Sequence, residues 1–284
     1  MDARRPPRQP VSEAISTQTL LITFFGHHVR PTVGRTPIAT ETILTALDRL
    51  GVSNVAGRST LSRMVKRGYL SRARRGRRAW YGITDQLAAI LADGERRLFA
   101  PPVRSIRPDT WTLLTFSFAE DQREQRHSLR QVLAWNGFGP LRDGMWIAPG
   151  EVDTAAMLAR LDVAGSVDAF LARTTAPTDA SEMVHRAWKL DQIAERYDDF
   201  IDRWSGDGQR HLSPLARQVR IATEWQQRVA NDPQLAAAHL PEGWPAMRAF
   251  ELFQRTLASD RAAADAEYRS ILDVLPGTSA QDLA

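Results

Sequence analysis

A chain of 284 residues is too long for one small domain and about right for two or three. Its 43% hydrophobic and 25% charged residues are ordinary for a soluble globular protein, and no apolar run approaches the roughly 18 residues of a membrane helix. It has no cysteine, which excludes disulfides and thiolate metal sites and fits a cytoplasmic protein. Its net charge of +4 is unevenly spread, with 17 Lys and Arg against 7 Asp and Glu over residues 1–100 and 20 against 26 in the remainder. A basic head on an acidic body marks the head as the part that meets a polyanion.

Residues 1–12, rich in Pro and Arg, are expected to form a disordered arm, and they lack the apolar core of a secretory signal. From Ser16, "STQTLLITFFGHHV" places Leu20, Leu21, Phe24 and Phe25 on one helical stripe that ends near Gly26. "VRPTVGRTPIA" reads as a loop. A second helix follows, with Thr40 as N-cap and Ile43, Leu44, Leu47 and Leu50 on one face. Ser53 caps a third helix, "NVAGRSTLSRMVKR", in which Gly57, Leu61, Met64 and Val65 share an arc. Ser59, Ser62 and Lys66 lie opposite, flanked by Arg58 and Arg63. Gly68 closes that helix. "YLSRA" and "AWYGI" then read as two short strands joined by "RRGRR", where Gly76 supplies the positive φ of a tight turn.

Three helices and a hairpin make a winged helix-turn-helix, here over residues 13–100. In that geometry the third helix enters the major groove of duplex DNA. Arg58, Ser59, Thr60, Ser62, Arg63 and Lys66 are its candidate DNA-binding residues, since arginine bonds guanine through two donors and hydroxyls are short, adaptable ones. The wing arginines Arg72, Arg74, Arg75, Arg77 and Arg78 are placed for phosphates or the minor groove. If all five neutralise a phosphate, the log–log salt slope is about −4 to −5 per subunit.

Residues 85–99 form a helix leading out of the wing, and "PPVRSIRPD" is a linker. The strand "WTLLTFSF", the helix "EDQREQRHSLRQVLAWNGF", the strands "GFGPLRD" and "GMWIAP", the helix "VDTAAMLARLD" and the strand "GSVDAFLAR" follow. That order is βαββαβ over residues 108–177, a ferredoxin-like unit. Residues 180–278 read as a helical C-terminal domain, making the fold class α+β.

Four runs resemble the PaaX-type family of phenylacetic-acid-degradation repressors: "LLITFFGHHVRP", "LGVSNVAGRSTLSRMVKRGYLSRARRGRRAWYGIT", "GFGPLRDGMWIAP", and "WKLDQIAERYDDF" with "NDPQLAAAHLPEGWP". The resemblance implies a winged helix, a Cas2-like ferredoxin domain and a helical domain. It further implies a homodimeric repressor on a palindromic operator, relieved by an aryl- or acyl-CoA thioester. Such an effector wants aromatic walls and cations for its phosphates, and Arg126, Arg130, Arg186, Trp188 and Lys189 are the candidates. Gly57 departs from the family pattern and is expected to loosen its helix.

Nucleotide-binding glycine loops and the H-E-x-x-H metal motif are absent, so neither catalytic residues nor a metal or other cofactor are expected. His27 and His28, being adjacent, cannot chelate as an i, i+4 pair and read as loop or capping residues. The alternative class is a metal-dependent nuclease, with Asp121 after the first middle strand as its metal-holding acid.

Overall fold

A computed structural model describes residues 15–103, 107–159, 161, 163, 165–230 and 232–276; the expected N-terminal arm lies outside them. Helix α1 (Thr17–Phe24) is capped by the Ser16 hydroxyl, which accepts from the Thr19 N–H at 3.1 Å. It does not end at Gly26. A π-helical turn over Phe25–Val29 carries it into α2 (Arg30–Val33), and Gly34, at φ +59°, terminates it. The reason is packing. A Cβ at Gly26 would meet Leu91 Cδ2 at 3.0 Å, so glycine serves a close approach within the helix rather than a cap. The extra residue of the π turn rotates His28 inward, where its ring lies 6.1 Å from Phe24 and 5.8 Å from Tyr268. The loop or capping role expected of the histidines is therefore corrected: His28 is fully buried.

The next elements are β1 (Ile38–Ala39), α3 (Thr40–Arg49), α4 (Asn54–Lys66), β2 (Leu70–Arg75), β3 (Arg78–Ile83) and α5 (Asp85–Leu98). The strands form one antiparallel sheet in the order β1-β3-β2. With β1 falling in the segment read as loop, the helices and sheet have the layout of a winged helix. Ala39, not Thr40, is the N-cap residue of α3; the Thr40 hydroxyl instead donates to the Ala79 carbonyl at 2.8 Å and ties α3 to β3. Gly57 does not loosen α4. A Cβ there would lie 2.8 Å from Leu44 and 2.9 Å from Leu47, so glycine lets α4 approach α3 closely.

The middle segment contains β4 (Thr110–Phe116), α6 (Arg123–Trp135), β5 (Gly139–Arg142), β6 (Met145–Pro149), α7 (Thr154–Leu158) and β7 (Val167–Arg173). The sheet order β5-β6-β4-β7, antiparallel throughout, is the ferredoxin-like arrangement the βαββαβ order implies. Leu114, Trp146 and Ala148 of the sheet pack against Leu129 and Leu133 of α6 and against Phe138. The C-terminal helices are α8 (Ala180–Ala187), α9 (Leu190–Ser205), α10 (Pro214–Ala230) and α11 (Ala246–Ile271).

The chain folds as two compact units. One comprises the described residues up to Leu98, then Asp202–Glu224 and those from Phe253; the other comprises Phe99–Ile201 and Trp225–Leu252. Within the first, Leu215, Ala216, Val219 and Tyr268 share a core with Leu21, Phe24, Ile43 and Leu61. Polar ties reinforce it: Thr223 Oγ1 bonds Thr23 Oγ1 at 2.9 Å, and Arg49 pairs with Glu267 at 3.0 Å. Within the second, Tyr197 O–H donates to Asp232 Oδ2 at 2.6 Å beside the stacked rings of Trp225 and Phe250.

Candidate nucleic-acid interface

Helix α4 begins at Ser53, whose hydroxyl accepts from the Ala56 N–H at 3.3 Å. Gly57, Thr60, Leu61 and Met64 recur at steps of three and four and form its buried face. That ridge fixes what faces solvent: Val55, Arg58, Ser59, Ser62, Arg63 and Lys66 are all exposed. Thr60, expected among the DNA-binding residues, is corrected. It is 1% exposed, and its hydroxyl accepts from Arg63 Nη2 at 2.8 Å. It positions Arg63, whose Nη1 also donates to Ser59 at 3.2 Å. Val55, 80% exposed, was missed. It lies one turn before Ser59 on the same exposed stripe. Its signal was legible: a β-branched apolar residue off the buried arc, in the first turn of an otherwise polar face.

The wing is β2 and β3 joined through Gly76, at φ +60°, and Arg77, with Arg75 opposite Arg78. All five wing arginines are exposed. Two have partners within the chain. Arg78 pairs with Asp273, lies 3.8 Å from Glu41 and sits over the Trp80 ring at 5.2 Å; Asp273 raises its pKa first by hydrogen bonding and then by charge. Arg75 Nη1 donates to the Pro276 carbonyl at 2.9 Å. Among the described residues, the side chains of Arg72, Arg74 and Arg77 have no hydrogen bond or ion pair. Charge counting could not separate these two sets.

The predicted effector residues lie on α6 (Arg126, Arg130), on α8 (Arg186) and just after α8 (Trp188, Lys189). Arg126 donates to the Phe118 carbonyl at 3.1 Å and Arg130 pairs with Asp143 at 3.5 Å. Arg186 and Lys189 are exposed. Trp188 is corrected from ligand wall to core: it is 8% exposed and stacks on Trp111 at 6.3 Å between ring centroids. A polar cavity of about 150 Å³ bounded by Trp204, Gln209, Arg210, Arg217 and Ser259 contains none of these residues. It is too small for a thioester of coenzyme A, since drug-sized ligands occupy roughly 300–1,000 Å³. Asp121 is exposed, and among the described residues no group of three or more His, Asp or Glu converges to hold a metal. Among those residues, too, no helix is long and apolar enough to cross a membrane.

Three consecutive segments match models of one family: residues 16–87 match "PaaX-like protein", 107–184 "PaaX protein central Cas2-like domain", and 188–270 "PaaX-like protein C-terminal domain". The chain belongs to the PaaX-like family. It is 25% identical over 227 residues to the transcriptional repressor PaaX of Escherichia coli K12, covering 72% of this chain and 69% of that protein. An uncharacterized protein, Rv0674 from Mycobacterium tuberculosis, shares the fold, with a TM-score of 0.58, 22% identity and coverage of 88% of this chain and 97% of that one.

The runs that resemble PaaX-type proteins have physical roles in this PaaX-like chain. In "GFGPLRDGMW", a Cβ on Gly139 would fall 2.5 Å from the Ala187 carbonyl oxygen and 2.8 Å from Trp188, so only glycine lets β5 reach the end of α8. Gly144, at φ +68°, makes the β5–β6 turn. In "NDPQL", Asp232 receives Tyr197 O–H and, at 2.6 Å, the Gln234 N–H. Burial nonetheless pushes its carboxyl up to about 6.

Proposed function

We propose that this PaaX-like chain is a transcriptional regulator, a repressor that binds duplex operator DNA as a homodimer in the cytoplasm. In this reading α4 lies in the major groove, and Arg58, Ser59, Ser62, Arg63 and Lys66 face base edges or flanking phosphates. The wing lies along the backbone. The observation that carries it is the exposed face of α4, free of acid and rich in guanidinium and hydroxyl groups, held out by a buried apolar ridge. The named function of the E. coli relative supports it. Dimerisation follows from the symmetry of operators, because two copies read a palindrome. An acyl-CoA thioester relieves repression by binding the DNA-free state more tightly than the DNA-bound one.

Selection from a random duplex pool tests the reading. A palindromic sequence should emerge, and Arg63→Ala should lose discrimination between it and mixed sequence by roughly 1–3 kcal/mol while non-specific affinity is retained. No enrichment over random duplex would refute specific operator binding. Cleavage of duplex with Mg²⁺, lost in Asp121→Ala, would overturn the regulator reading in favour of a nuclease. For the effector, phenylacetyl-CoA should raise the melting temperature and release the operator, while free coenzyme A should do neither.

A further inference from the structure

The chain does not leave the head after α11. Val274 forms an antiparallel bridge with Ile38 of β1. The Ala39 N–H donates to the Asp273 carbonyl at 2.8 Å, and the Leu275 N–H donates to the Pro37 carbonyl at 2.9 Å. Asp273 N–H adds a bond to Thr42 Oγ1 at 3.1 Å. The C-terminal segment thus lies on the free edge of β1. None of these bonds uses the Asp273 side chain, so its carboxylate is not needed to hold the segment there. That carboxylate goes to Arg78, and the Pro276 carbonyl goes to Arg75. Arg75 and Arg78 face each other across the hairpin on either side of Gly76 and Arg77.

We propose that Asp273 is a built-in counterion that competes with DNA phosphate for the wing and so sets its affinity. The inference rests on the DNA-binding reading given above. Arg75 and Arg78 are withheld by the C-terminal segment, and Arg72, Arg74 and Arg77 meet phosphate. The chemistry is exchange of one oxyanion for another on the same guanidinium. Both partners are about half exposed, at 49% and 42%, so the internal pair is weak enough for substitution to register without unfolding the head. Each phosphate neutralised contributes about −0.9 to the log–log salt slope. Three wing arginines then contribute about −2.7, against about −4.5 for five.

The test is fluorescence anisotropy of the full chain on a labelled mixed-sequence duplex between about 50 and 200 mM salt. Arg78→Ala should leave the slope of the otherwise wild-type protein nearly unchanged, whereas Arg74→Ala and Arg77→Ala should each flatten it by about 0.9. Asp273→Asn should steepen it by about 0.9 and tighten binding two- to five-fold, roughly the effect of freeing one exposed ion pair. Adding Arg78→Ala to Asp273→Asn should cancel that gain. Unchanged or weaker binding by Asp273→Asn, or a slope flattened by about 0.9 in Arg78→Ala alone, would overturn the counterion role. If Asp273→Asn melts early, the Arg78→Ala slope still decides. Absence of salt-dependent binding by the wild-type protein would instead sink the DNA-binding reading itself.

Discussion

Tyr197→Phe is expected to destabilise the protein much more at pH 7.5 than at pH 4.5. The phenol donates at 2.6 Å to a carboxylate that is 6% exposed, and its only change in this variant is loss of the hydroxyl. Burial raises the Asp232 carboxyl from 3.8 to about 6, even though Tyr197 and the Gln234 N–H both pull it down. The sign follows. A folded carboxyl that titrates above its unfolded value binds extra protons in the native state, so its unfavourable contribution is absent below pH 3.8 and grows as pH rises through about 6. The full difference is about 3 kcal/mol, at 1.36 kcal/mol for each pH unit. Above that range Tyr197 supports a charged acceptor, worth about 1.5–3 kcal/mol; below it, a neutral one, worth about 0.5–1.5 kcal/mol. Urea unfolding of both proteins at the two pH values should show a gap wider by about 1–2 kcal/mol at the higher pH. Other titrating groups cancel in the difference. A gap independent of pH would show that Asp232 does not titrate between pH 4.5 and 7.5, and the reasoning about its burial would fail.

Gly139→Ala should cost about 3 kcal/mol, because its methyl meets backbone at Ala187 rather than a side chain that can swing away; equal midpoints in urea would refute the close approach. His28→Phe tests the π turn. Burial lowers His28 to about 3 and His27 to about 4, so each contributes stability at neutral pH that is lost as pH falls below 6.5. Replacing His28, whose ring nitrogens have no hydrogen bond among the described residues, should shrink the loss of stability between pH 6.5 and about 4, read by thermal melts across that window. Ser59→Ala should not change non-specific DNA affinity, whereas Lys66→Ala should flatten the salt slope by about 0.9 if Lys66 meets phosphate.

The parts of the fold visible in sequence are those where periodicity and burial coincide. The two short strand-like runs on either side of "RRGRR" marked the hairpin, and the order of short strands and helices from Trp111 to Arg173 marked the ferredoxin-like sheet, whose strand order then came out as expected. Where the physics is a single close contact, sequence is silent. β1 is two residues long, too short for alternation, and exists because β3 and the C-terminal segment flank it. The π turn at Phe25 needed the position of Leu91, which arrives from α5. Thr60 looked like one more hydroxyl on a polar face, yet the steps from Gly57 to Leu61 and Met64 put it inside.

Charge shows the same limit from the other side. Seventeen basic against seven acidic residues over 1–100 correctly singled out the head as the cationic end, because a net excess survives any fold. Which cations remain available does not. Asp273, 195 residues from Arg78, counts toward the acidic body in sequence but belongs to the head in the fold. Arg75 and Arg78 cannot be told from Arg72, Arg74 and Arg77 by composition or spacing, since all five occupy one hairpin tip. The distinction is made only when β1 takes the C-terminal segment along its edge and brings an oxyanion and a carbonyl to two of them. If Asp273 is the wing's counterion, as proposed, a salt slope counted from the wing sequence alone overstates the number of phosphates, and the size of that excess measures how firmly the chain's end holds the wing.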